Sequence, residues 1–267
     1  MRYLRLWQAL LLVGLFGLWQ LLSSPEILPP VVWDNPHRAA FFFGEPVKMA
    51  KVIWVWFSEG TIYEHLWVTL QETALAFVIG SVLGLVVGLW LGLSPTASAL
   101  FDPYITAMNA MPRVVLAPIF MVWFGLGIWS KVALGVTLVF FIVFFNVYQG
   151  VKEVSPVVLN NVVMLGANRK QLLRYVYLPS ATSWLFSSLH TSVGMAFVGA
   201  VVGEYLGSAR GVGYLIQQAE GAFDINTVFA GILVLTAFAL VLDFAVGQVE
   251  RRLLVWRPTQ SETEQQL

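Results

Sequence analysis

Long apolar runs alternate with short polar gaps along this chain, and the runs have membrane-crossing length. A spanning helix needs roughly 20 mostly apolar residues to cross about 30 Å of hydrocarbon. Such stretches fall at residues 4–22, 70–93, 104–126, 131–151, 183–206 and 228–248. They predict an all-α integral membrane protein of about six transmembrane helices. The first run follows Arg2 and Arg5; it exceeds a typical signal-peptide core and ends in Leu22-Ser23-Ser24-Pro25, a poor cleavage site. It is therefore expected to be a retained anchor. The segment 47–64 carries Trp54, Trp56 and Tyr63, rings that suit a helix lying at the bilayer surface. In chain order this predicts an N-terminal transmembrane helix (1–24), a loop with an interfacial segment (25–69), a core (70–251) and a tail (252–267) polar enough for disorder.

One polar island, residues 152–179, interrupts the pattern, and its local signals predict two short helices. Ser155-Pro156 is an N-cap and N1 pair, and Asn168 with Gln171 three residues on resembles a capping box. Gly166-Ala167 marks the turn between them. On the first helix Val158, Val162 and Leu165 share one face, with Leu159, Val163 and Gly166 beside them, and this face is predicted to pack on the membrane domain. Asn160, Asn161, Met164 and Asn168 fall on the other, predicted to be free. Pro179 is expected to stop the second helix.

Within the spans, small and charged residues narrow the possibilities. Gly80, Gly84, Gly88 and Gly92 form a stripe at four-residue spacing that lets another helix approach closely, either within one subunit or between two. Pro112 and Pro118 interrupt the third span and free backbone groups to line a cavity. Arg113 beside them either meets an anionic group in transit or pairs with Glu204 or a carbonyl. Glu204 has three readings: gating the path, pairing with a cation, or reaching the interface. Asn109 and Asn146 suit helix–helix hydrogen bonds as well as a path, and Asp243 lies near a span end where snorkelling is easy.

Composition removes other classes. With 58% hydrophobic and 11% charged residues, the chain has no room for a separate soluble domain. Fifteen basic residues balance fifteen acidic ones, which argues against nucleic acid as a ligand. The chain has no Cys, and His37, His65 and His190 lack metal-ligand spacing, so neither metal nor catalytic residues are expected. Basic residues set orientation. Arg2, Arg5, Lys152, Arg169, Lys170, Arg174, Arg251, Arg252 and Arg257 on one side outnumber Arg38, Lys48, Lys51, Lys131 and Arg210 on the other. Both termini and the island are expected in the cytoplasm.

Gly166, nine residues, Val176, one residue, Leu178-Pro179 resembles the EAA loop of bacterial ABC-importer permeases. Trp123-Phe124-Gly125-Leu126-Gly127, Gly203-Glu204, Gly211-Val212-Gly213-Tyr214-Leu215 and Glu250-Arg251-Arg252-Leu253-Leu254-Val255-Trp256 resemble the nitrate, sulfonate, taurine and bicarbonate branch of that family. Two departures stand out: Asn160-Asn161-Val162 replaces Glu-Ala-Ala, and Asn109 stands where many relatives place an Arg. The resemblance implies a type I importer permease, similar to the methionine permease, in the bacterial inner membrane. It implies a homodimer joined to two ATP-binding cassette subunits and fed by a periplasmic binding protein.

In that scheme Leu159, Asn160, Asn161, Met164, Gly166, Ala167, Asn168 and Arg169 form a coupling helix and turn against the ATPase. Asn109, Arg113, Asn146 and Glu204 are the path candidates. ATP and Mg belong to the partner, since the chain has no phosphate-binding loop and no Gly-Lys dipeptide. The implied solute is a small anion such as nitrate, taurine or an alkanesulfonate, with a pyrimidine vitamin precursor or other heteroaromatic solute as the alternative. An ion-driven secondary transporter is the remote rival; its usual matching halves are not evident here.

Overall fold

The computed structural model describes residues 2–24 and 36–253, and the described residues are helices joined by turns, with no strand among them. The helices are α1 (Arg2–Ser23), α2 (Pro36–Phe43), α3 (Pro46–Glu59), α4 (Thr61–Leu93), α5 (Pro95–Ala110), α6 (Ala117–Phe124), α7 (Ile128–Lys152), α8 (Pro156–Met164), α9 (Arg169–Leu172), α10 (Leu178–Ser187), α11 (Leu189–Leu206), α12 (Val212–Gly221) and α13 (Ile225–Leu253). A 3₁₀ turn at Arg113–Leu116 precedes α6, and a π turn at Leu173–Tyr177 precedes α10. Five helices are long and apolar enough to cross a membrane, and α5 with Arg113–Phe124 makes a sixth candidate. The Pro-rich stretch 25–35 and the tail from 254 lie outside the described residues.

Three predicted elements change. The third span is not one helix, because α5 and the Arg113–Phe124 segment meet at 87°. Pro112, with no N–H to give and φ fixed at −66°, follows the extended Met111 and prevents the ladder from continuing. The predicted surface helix is α3 alone: Gly60, at φ +80°, ends it, and Tyr63 and Glu64 belong to the first turn of α4. The span predicted from 183 begins at Leu189, after a break at Ser188.

Packing divides the chain into two compact units, Met1–Val68 with Glu204–Ala237 and Thr69–Gly203 with Phe238–Leu267. The second is organised by one seam. Gly80, Gly84, Gly88 and Gly92 of α4 face Val139, Val143, Val147 and Val151 of α7, the same four-residue step on both helices. A Cβ built on any of the four glycines would lie within 2.9 Å of its valine. The stripe is thus a contact within one subunit. These valines are buried, and with Ala76, Ala181 and Ala196 they form the core. On the same helix Gly135 lies against Ala76 of α4 and Gly199 of α11, and Gly150 lies under the Trp184 indole of α10. Without a hydrophobic drive between helices in lipid, such backbone approach supplies the packing that holds spans together.

In the first unit the long elements are pinned by polar contacts to backbone. Gln20 Oε1 accepts from the Val47 N–H at 3.0 Å, Asn226 Oδ1 accepts from the Glu45 N–H at 2.8 Å, and the Trp19 indole meets Phe229 edge-on.

Candidate functional site

The island folds as a helix–turn–helix; Ser155 and Pro156 take the N-cap and N1 positions of α8, without a capping bond from the Ser155 side chain. Gly166 adopts φ +84°. Its N–H bonds to Val163 O at 2.9 Å, and the Ala167 N–H bonds to Val162 O at 3.2 Å, which is the Schellman closure of a helix. Asn168 then caps α9: its side chain accepts from the Gln171 N–H at 3.0 Å, while Gln171 Oε1 accepts from the Asn168 N–H at 2.8 Å. Pro179 does not stop the second helix. Helical backbone runs on through the π turn at Leu173–Tyr177 into α10, because the wider turn removes the clash and missing bond that proline brings.

Less of α8 is covered than expected. Leu159 and Val162 are its half-covered residues, while Val158, Asn160, Asn161 and Val163 are exposed. Met164 is 84% and Leu165 86% exposed. The covered strip lies within the expected docking face, whose outlying Val158, Val163 and Leu165 are exposed instead. A nine-residue helix clamped between Ser155 and the Gly166 turn holds its C-terminal tip out in the open. Its free face is therefore apolar at the tip, where Met164 and Leu165 stand beside the polar Asn160-Asn161 pair. Ala167 is half-buried in the turn, and Asn168 and Arg169 are exposed after it.

At the break between α5 and α6 the structure brings Asn109 and Arg113 together. Arg113 Nη2 donates to the Asn109 carbonyl at 3.2 Å and to its side-chain oxygen, and the guanidinium lies 4.4 Å from the centre of the Phe141 ring. Of the pairings considered for Arg113, this is the one with a carbonyl. Asn146 turns inward on its own helix, donating to Ile142 O at 2.8 Å.

Glu204 is fully buried, and its carboxylate accepts from the Gly213 N–H at 2.7 Å at the start of α12. A Cβ on Gly211, at φ +103°, would collide with that carboxylate. The Gly203-Glu204 and Gly211-Val212-Gly213 motifs thus form one device, an acid seated on the positive end of a helix. His65 reinforces it through Gly211 at 3.1 Å, and Glu64 pairs with Arg210 at 2.9 Å.

Several contacts carry no signal in the sequence. Phe141 sits in a run of phenylalanines, and nothing local marks which ring stacks on Arg113. His190 bridges Asp243 at 2.8 Å and Glu250 at 2.7 Å, linking α11 to α13. Lys131, expected at the outer end of its span, is fully buried in the first turn of α7, where Nζ donates to Leu126 O at 2.5 Å and Gly127 O at 3.0 Å. No cluster of metal-ligating residues occurs among those described.

A family model described as "Binding-protein-dependent transport system inner membrane component" matches residues 80–255, which span the glycine seam, the island and α13. The chain belongs to this family. It is the permease of an ABC importer. It is 32% identical to the taurine transport system permease protein of Escherichia coli, over 92% of this permease and 87% of the relative. It is 32% identical to the formylaminopyrimidine transport permease protein of Halalkalibacterium halodurans, covering 86% and 93%. Identity is 29% to a putative aliphatic sulfonates transport permease protein of Bacillus subtilis, covering 91% and 84%. Among solved structures, a chain from the inward-facing MetNI methionine ABC transporter superposes with a TM-score of 0.63 at 18% identity, covering 72% of this permease and 95% of that chain. The permease therefore has the type I importer fold.

Proposed function

We propose that two copies of this permease form the membrane path of an importer in the bacterial inner membrane, driven by two cytoplasmic ATPase subunits that hold ATP and Mg. Both termini and the island 152–179 face the cytoplasm, and a periplasmic binding protein delivers the solute. The excess of basic residues on the island side supports this orientation, and the absence of a phosphate-binding loop assigns energy conversion to the partner.

The observation that carries the reading is the bare apolar tip of α8. Met164 and Leu165 are almost wholly exposed, held out by a capped, hydrogen-bonded turn. An apolar knob on a stiff support fits a groove on a soluble partner, as an amphipathic helix fits its target. Closure of the ATPases would move this helix and, through α9 and α10, the spans. The exposed Asn160-Asn161 pair supplies hydrogen bonds at the rim, so the knob and not a carboxylate provides the contact energy.

The solute class is a small organic anion of the sulfonate type, the chemistry named for two of the relatives. A second reading, a pyrimidine-like heteroaromatic solute, is favoured by the equally similar formylaminopyrimidine relative. Proteoliposomes containing the permease, its ATPase and its binding protein should take up solute only with ATP. Leu165→Asp should lower ATPase co-purification and uptake by about tenfold, as loss of a buried apolar anchor does. Uptake driven by an ion gradient without ATP would overturn the scheme.

A further inference from the structure

We propose that Arg113 is an oxyanion site at mid-depth in the translocation path, which makes a solute bearing a sulfonate or carboxylate group the substrate class. This rests on the reading of the chain as an importer permease whose path runs past the α5–α6 break.

Three observations carry it. The first is depth. Arg113 is packed on Phe141, which is buried and lies near the middle of α7, the helix Ile128–Lys152. A guanidinium at that level is far from either headgroup layer, where a permanent cation is costly unless it faces protein or a water-lined cavity. The 87° break beside it, opened by Pro112, supplies irregular backbone of the kind tolerated at membrane depth only next to protein or a cavity.

The second is charge. The groups that hold Arg113 are neutral: the Asn109 carbonyl, the Asn109 side-chain oxygen and the Phe141 ring. Among the described residues no carboxylate forms an ion pair with it, the ion pairs there being Lys48–Glu45, His190–Asp243, His190–Glu250 and Arg210–Glu64. Half-buried Arg113 is thus a cation at span depth without a counter-charge, a standing attraction for an anion that low surrounding polarity strengthens.

The third is orientation. A guanidinium has weakly hydrated faces and donor-bearing edges. Here one face is taken by Phe141 and Nη2 is held by Asn109, so the plane is fixed before any ligand arrives. Nε is shielded from solvent and has no hydrogen-bond partner. The side chain as a whole is only half-buried, so the donors an incoming oxyanion reaches are those on the outer edge of the guanidinium, already held in a fixed plane. A single guanidinium edge also binds weakly enough to release a passing solute, as a transport site requires. A lipid phosphate has the same chemistry, but at the middle of a span it lies about 15 Å from its own layer.

The test uses the full-length permease in nanodiscs of zwitterionic phosphatidylcholine, followed by thermal unfolding. Ethanesulfonate and propionate should each raise the unfolding temperature by a few degrees, and the uncharged isostere dimethyl sulfone should not. Arg113→Gln should abolish the anion response, and Arg113→Lys, which keeps charge but loses the planar edge, should retain only part of it. Should the Gln variant fail to assemble, the Lys variant and the contrast between anion and sulfone in the unmodified chain decide the matter. Equal responses to sulfone and sulfonate, or an undiminished anion response in Arg113→Gln, overturn the proposal. So does stabilisation that appears only when phosphatidylglycerol is added and not with soluble anions, because that assigns the site to lipid. Transport of a neutral solute with no anion response would sink this site and leave the importer intact. A lost response in Arg113→Gln without ATP-driven uptake would do the reverse.

Discussion

The Cα of Gly84 takes the place a side chain would need against Val143: a Cβ built there falls 2.8 Å from the valine Cβ and 2.9 Å from the Phe140 carbonyl. Neither neighbour is a flexible side-chain end, so the helices themselves would have to part. Gly84→Ala is expected to lower stability by about 1–3 kcal/mol, in the range of overpacked cores. Val143→Ala combined with it should recover part of the loss. Detergent unfolding of the two single variants and the double variant measures the coupling; strict additivity would mean the seam is not in contact.

Glu204 and the Gly213 N–H form the second test. Glu204→Ala strands a buried donor at the start of α12 and should cost about 1–3 kcal/mol. Gly211→Ala should be more damaging, because it combines a left-handed φ with a collision against the same carboxylate. Unfolding temperatures of the two variants, compared with the parent, report the order.

Gly166 separates backbone geometry from partner contact. With nothing within 4 Å of a built Cβ, its requirement is conformational, and a left-handed residue other than Gly or Asn costs roughly 1–2 kcal/mol. Gly166→Asn should keep ATP hydrolysis coupled to uptake, and Gly166→Val should weaken it. Gly166→Pro also deletes the bond to Val163 O, and should uncouple hydrolysis from uptake while the membrane domain still inserts. A fully coupled Pro variant would refute the lever.

The His190 bridge is a weaker element. Asp243 is mostly exposed and His190 nearly half so, and solvent screens such pairs. His190→Ala should reduce stability by less than about 1 kcal/mol, with a smaller effect at high salt. Chemical denaturation at two ionic strengths measures it.

What could be read from the sequence was local or periodic. The Asn168–Gln171 box, the Gly166 turn and the glycine stripe each depend on residues a few positions apart, and the structure realises all three. What could not be read depends on register between distant segments. The pairing of Gly84 with Val143, the stacking of Arg113 on Phe141 and the His190 bridge join helices whose offset no local pattern specifies. How little of α8 is covered is not legible for a related reason: counting apolar residues favours burying Leu165, whereas the short tethers present it outward. The prolines at 112 and 118 announced an interruption, but the size of the bend is set by the packing of α6 beside α7.

The π turn before Pro179 has a mechanical meaning. By absorbing the proline without a joint, it makes Arg169 to Ser187 a single strut. Its far portion is locked to α7 twice, by Trp184 over Gly150 and by the Ser180 hydroxyl donating to Gly150 O at 2.6 Å. Compliance is left to Glu153–Ser155 and to the Gly166 turn. A load applied to the tip of α8 is therefore delivered as torque at the C-terminal end of α7, the helix that also carries the valine seam and the Phe141 ring.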